Sequence, residues 1–148
     1  MNTMLEELAT NSVNQRRTAE TAYPAKYLNE AYQAMSRSQA MIEFDLDGVV
    51  IHANENFLSL FGYSLDQVVG QHHRMFCTAE QVVKPEYRIF WNDLKSGQFK
   101  KGEFHRIAAD GSDLHIQASY NPIFGEDGKT STILKFASDI TATKIQDY

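Results

Sequence analysis

The chain has 148 residues, the length of one ordinary domain, with 43% hydrophobic and 22% charged residues, so it can build a core and does not have a disordered composition. A net charge of −5 argues against nucleic acid or an anionic membrane as the main partner, because both select basic surfaces. No apolar run is long enough to span a bilayer, no signal-peptide pattern opens the chain, and the lone Cys77 cannot form an internal disulfide, which together point to a cytoplasmic domain.

Residues 1–40 are compositionally distinct: they are rich in Ala, Glu, Gln, Asn and Thr and hold no glycine. Met4, Leu5, Leu8 and Val13 suggest a first amphipathic helix. Pro24 suits the first turn of a second helix, in which Ala25, Leu28, Ala31, Tyr32 and Met35 recur at helical spacing to about Ser38. Its apolar stripe must be covered by the domain's own sheet or by a second copy of the chain.

Met41–Phe44 then reads as a strand, Asp45-Leu46-Asp47-Gly48 as a hairpin turn, and Val49–Ala53 as the returning strand. The acidic turn lacks the spaced ligands and closing glutamate of a calcium loop. Asn54 caps a short helix carrying Phe57, Leu58 and Phe61 and stopped by Gly62; Ser64 opens another, Leu65 to Val69, ended by Gly70. Pro85 opens a longer helix with Tyr87, Phe90, Trp91 and Leu94, closed at Gly97. Three strands follow, Phe99–Ala108, Leu114–Phe124 and Ser131–Ala137, separated by the turn signals Asp110-Gly111 and Asp127-Gly128. The expectation is an α+β domain: a five-stranded antiparallel sheet with one face covered by short helices.

The words within that order carry a resemblance. Asp45-Leu46-Asp47-Gly48 running to Asn54-Glu55-Asn56-Phe57, then Phe61-Gly62-Tyr63-Ser64, then Gln117 to Ile123, and last Asp139-Ile140-Thr141, resemble the PAS family. Gly70-Gln71-His72-His73-Arg74-Met75-Phe76 and Lys135 to Thr141 look most similar to the PAS domains at the front of bacterial chemoreceptors and aerotaxis receptors. The resemblance covers residues 38–143. It leaves 1–37 as an N-terminal helical extension and 144–148 as the start of a linker to an output region. It implies a sensor of oxygen, redox state or energy status that relays a change to a signalling region of the same chain. It also implies a homodimer, formed through the N-terminal helix and the sheet.

No Gly-rich phosphate loop, HExxH helix or CxxC pair is present, and no enzyme is expected. His72 and His73 are the residues most open to chemistry, since imidazole can ligate haem iron or a metal, hydrogen-bond a flavin, or simply satisfy a loop's backbone. By resemblance to flavin-binding redox PAS domains the favoured cofactor is FAD, with Asn54, His73, Arg74 and Trp91 as its contacts. Haem on His72 or His73, a small ligand, and a cofactor-free dimerisation module stay open. The long helix carries no histidine, unlike the haem PAS domains of oxygen-sensing kinases. Cys77-Thr78-Ala79-Glu80 and Phe99-Lys100-Lys101-Gly102 depart from the flavin receptors' pattern. The cysteine motif of the light-sensing flavoproteins of this fold is absent, and Cys77 itself reads best as a small apolar filler.

Overall fold

A computed structural model describes residues 23–146, so the helix read from Met4 to Val13 lies outside the described residues. The chain divides between Arg37 and Ser38 into two compact units. In the first, helix α1 (Ala25–Ser38) begins just after Pro24 and leaves Tyr27, Leu28 and Met35 exposed.

The second unit is built on one antiparallel sheet. Its strands are β1 (Ala40–Phe44), β2 (Val50–Ala53), β3 (Lys100–Ile107), β4 (Asp113–Phe124) and β5 (Thr130–Asp139), in the spatial order β2-β1-β5-β4-β3. The hairpins are legible from their turns, while the closing pair, β1 against β5, joins residues some ninety positions apart and sets Phe44 opposite Ile133. Between the hairpins lie α2 (Glu55–Phe61), α3 (Leu65–Val68), a 3-10 turn (His73–Phe76), α4 (Ala79–Val82) and α5 (Pro85–Lys95), and α6 (Thr141–Gln146) follows β5.

Local chemistry explains most of the boundaries. Asp45 Oδ1 accepts the backbone N–H groups of Asp47 and Val49, each at 2.9 Å, so the acidic turn spends its carboxylate on its own backbone. Asn54 Oδ1 accepts from Phe57 N–H at 2.9 Å and caps α2, which Gly62 ends in a left-handed conformation at φ 80°. In α3 the Gln67 side chain reaches back to the Ser64 N–H at 2.8 Å. The 3-10 turn and α4 have too little apolar periodicity to be read from sequence. Thr78 and Gln81 nonetheless spell a capping box, each side chain bonded to the other's backbone N–H.

The sheet's inner face packs on the helices. Along β4, Leu114, Ile116, Ala118 and Tyr120 are buried, while their alternates are not. Phe44, Phe57, Phe61, Phe76, Trp91 and Leu94 fill the layer between. Along β5 the inward phase is Ile133, Lys135 and Ala137, so a lysine sits where the pattern asks for an apolar residue.

A buried polar cluster as candidate functional site

The segment after Gly70 is zipped onto β2, and this aims the two histidines apart. Gly70 N–H donates to Val50 O, Val50 N–H to Gln71 O, and His73 N–H to Gly48 O, at 2.8–2.9 Å. His72 turns outward: its Nδ1 accepts the Arg74 N–H at 3.0 Å, and its ring lies so close to Gly48 that a Cβ there would sit 2.8 Å from Nε2. Partial burial, helped by the Arg74 charge, holds His72 below the usual histidine pKa.

His73 turns inward and is fully buried. Its Nδ1 lies 2.8 Å from the Tyr87 hydroxyl on α5, and its Nε2 lies 2.9 Å from the Tyr120 hydroxyl on β4. Arg106 Nη2 donates to the same Tyr120 oxygen at 3.0 Å. Arginine can only donate, so the Tyr120 oxygen accepts from Arg106 and the arrangement that uses the Tyr120 hydrogen has it donating to Nε2, with the ring proton on Nδ1, facing Tyr87. Burial, reinforced by the Arg106 charge, pushes the His73 pKa well below its ordinary value, so the ring is neutral at neutral pH. One neutral imidazole thus ties the helix layer to the sheet.

Around it stand groups without their usual partners. Arg106 Nε, Lys135 Nζ and the Trp91 indole N–H are buried with no hydrogen-bond partner among the described residues. The indole still lies close enough to Tyr87 to ease its pKa down a little against the rise that burial causes. Cys77 Sγ is 3.7 Å from His73 Nδ1; burial pushes its pKa up, so it stays a thiol and is a poor nucleophile.

The four residues expected to contact a flavin are placed unequally. His73 and Trp91 meet edge to face, ring centroids 5.2 Å apart. Arg74 is exposed and shares with His72, Tyr87, Arg88, Trp91 and Lys95 a surface groove of about 370 Å³. Asn54 is buried, with Oδ1 accepting from Met41 and Phe57 and Nδ2 donating to Gln39 O, so its amide is engaged by the backbone. The donor chemistry fits a flavin, whose ring edge is rich in acceptors. The layer such a ring would enter is filled by Phe44, His73, Trp91 and Tyr120, with ring centroids 5.2–6.5 Å apart, so these side chains would have to part.

Tyr87, Tyr120, Arg106 and Lys135 escaped the sequence reading as site residues. For Lys135 the signal was present, as a cation in the inward phase of a central strand. For Arg106 and Tyr120 it was not: the β3–β4 register sets Arg106 opposite Leu114 and Tyr120 opposite Lys100, and the two meet only because their side chains reach toward each other.

Comparison with known proteins agrees with this architecture. A family model described as PAS fold matches residues 27–145. The biofilm dispersion protein BdlA of Pseudomonas aeruginosa is 44% identical over 108 residues, which cover 73% of this chain and 26% of that protein. The aerotaxis receptor of Escherichia coli is 28% identical over 101 residues, 68% of this chain and 20% of the receptor. The chain therefore spans about a quarter or less of the length of these relatives. Among solved structures, a PAS domain from Colwellia psychrerythraea superposes with a TM-score of 0.68 at 25% identity, covering 78% of this chain and 98% of that one. A light-oxygen-voltage domain studied with a flavin analogue superposes at 0.66 with 21% identity, covering 82% and 90%, a likeness of fold alone.

Proposed function

The chain belongs to the PAS family, and on that premise we propose that it is the sensory input domain of a chemotaxis- or aerotaxis-type transducer, reading oxygen, redox or energy status in the core around His73. The observation that carries this reading is the bridge through His73. It is bonded on one side to α5 through Tyr87 and on the other to β4 through Tyr120. The same strand β4 holds the exit of the domain. His115 N–H donates to Thr141 Oγ1 at 2.9 Å, and Ile140 N–H donates to His115 O at 2.8 Å, so the first turn of α6 is pinned to the strand five residues from Tyr120. A ligand that prefers one arrangement of the His73 bridge shifts the strand, and with it α6, by as much as its differential affinity allows.

The favoured occupant is FAD, which when bound supplies a ring whose redox state alters its hydrogen-bonding demands. His73 and Trp91 would face the ring, Arg74 would stand at the groove beside Trp91, and Asn54 would act by holding the hairpin and α2 in place. Haem is the second reading, favoured by one observation: His73 presents a neutral, fully buried imidazole, the form that ligates iron. Pairing of two chains through residues 24–38 and the sheet completes the proposal, with the exposed Tyr27, Leu28 and Met35 of α1 as its apolar stripe. The test is the near-ultraviolet and visible spectrum of the purified protein, in air and after dithionite. A flavin pattern that bleaches supports the FAD reading, and a Soret band transfers it to haem. A flat trace that persists after incubation with FAD and hemin overturns both.

A further inference from the structure

Among the described residues the core holds two basic side chains and no acid. The buried polar and charged residues are Asn54, His73, Arg106 and Lys135; no aspartate or glutamate is among them. Both basic groups meet on one tyrosine. Arg106 Nη2 donates to the Tyr120 hydroxyl, and Lys135 Nζ stands over the Tyr120 ring, 4.7 Å from its centroid. The Phe57 and Phe61 rings are 5.9 and 6.0 Å from the same nitrogen. Among the described residues Lys135 Nζ makes no hydrogen bond, and Arg106 keeps Nε unpaired while Nη1 and Nη2 each make one bond.

The three ring faces attract an ammonium ion, but a fully buried nitrogen with no acceptor for its protons opposes one more strongly. Removal from water, helped by the Arg106 charge, pushes the Lys135 pKa well below the ordinary lysine value. A desolvated, neutral lysine amine is a nucleophile, whereas an exposed lysine at neutral pH is not. What reaches it must be small and apolar enough to enter a closed aromatic core. What it forms should supply the carboxylate that Arg106 lacks.

We propose that Lys135 is a carbon dioxide-binding residue that forms a reversible carbamate. The amine lone pair attacks the carbon of CO2, an N–C bond forms as one C=O π bond opens onto oxygen, and the nitrogen sheds a proton to the buffer. The neutral side chain becomes N-carboxylated and carries one negative charge, with no redox change. Because Nζ stands over the Tyr120 ring and Arg106 bonds that ring's hydroxyl, the new carboxylate is expected to pair with the Arg106 guanidinium. It converts an uncompensated buried cation into an ion pair, on the same hydroxyl that holds His73. The modification thereby acts on the bridge between helix layer and sheet without requiring any bound ring, and it stands independently of the cofactor reading.

The test uses the whole chain. It is incubated with carbon-13 bicarbonate at mildly alkaline pH and followed by carbon-13 NMR; the carbamate is then trapped with an alkylating oxonium reagent and located by peptide mass spectrometry. The expected result is one carbamate resonance and one trapped site, Lys135. Both are lost in Lys135→Met and in Lys135→Gln, the latter keeping a polar side chain should the former fold poorly. In Arg106→Met the CO2 concentration for half-modification rises several-fold. No resonance in the natural sequence, or one that survives both Lys135 substitutions, overturns the proposal. Unchanged saturation in Arg106→Met overturns the pairing with the guanidinium. The visible spectrum of the same sample keeps the two readings apart, since a colourless protein that still forms the carbamate removes the cofactor and leaves Lys135.

Discussion

The two faces of the sheet treat charge in opposite ways. On the outer face and at the edge, charges are partly exposed and paired: Lys144 with Glu103 at 2.6 Å and Lys100 with Asp93 at 2.7 Å. On the inner face Arg106 and Lys135 are buried with no buried acid among the described residues. Exposed pairs contribute little and tolerate change, whereas a buried charge without a partner is costly to keep. The difference locates the part of the molecule whose chemistry is not explained by folding alone.

That contrast is broken most sharply at Lys135. Lys135→Met, which removes the unpaired amine and keeps an unbranched side chain of similar length, is expected to stabilise the domain by about 1–4 kcal/mol in CO2-free buffer at neutral pH. Denaturant unfolding measures the change. The sign with pH also follows. Because the folded pKa of Lys135 is depressed, the unfolded chain binds more protons between the folded value and about 10.4. Stability of the natural sequence relative to Lys135→Met therefore rises with pH through the alkaline range.

Tyr120→Phe tests the bridge from the other side. It leaves His73 Nε2 and Arg106 Nη2 without their shared hydroxyl and is expected to cost about 1–3 kcal/mol. A smaller, pH-confined effect is expected for His73. Its depressed folded pKa means that the unfolded chain takes up a proton first, so stability falls as pH drops below about 6.5, by up to about 1.4 kcal/mol per pH unit. That acid-side slope, read from unfolding curves at successive pH values, should flatten in His73→Gln. The smallest effect belongs to the outer face: Glu103→Ala, which breaks the pair with Lys144, is expected to change stability by less than about 1 kcal/mol. A larger loss there would show that the outer charges carry more than surface pairs normally do.

The fold was largely legible because its signals are local. Asp45 to Gly48, Asp110-Gly111 and Asp127-Gly128 mark turns, Asn54 and Gly62 bracket α2, and the alternation of Leu114, Ile116, Ala118 and Tyr120 declares an inward face. The placing of β5 beside β1 was not legible, since it depends on packing between distant segments. Neither was the stretch from His73 to Val82, whose 3-10 turn and single-turn helix are set by side-chain caps and by the backbone zipper onto β2. The same division holds for the site. His73 and Trp91 could be singled out one at a time, but the hydrogen-bonded set of His73, Tyr87, Tyr120 and Arg106 spans a loop, a helix and two strands. No spacing in the sequence announces it.

A neutral, unpaired Lys135 in the core is the feature on which the chemistry of this domain depends. The most direct measurement is a side-chain NMR titration of Lys135 in the intact chain, with Lys135→Met assigning the signal. The account predicts a midpoint well below the ordinary lysine value of about 10.4, reached while the other assigned lysines remain protonated. A Lys135 that titrates with the exposed lysines would contradict it, because such an amine would be charged at neutral pH and in contact with water.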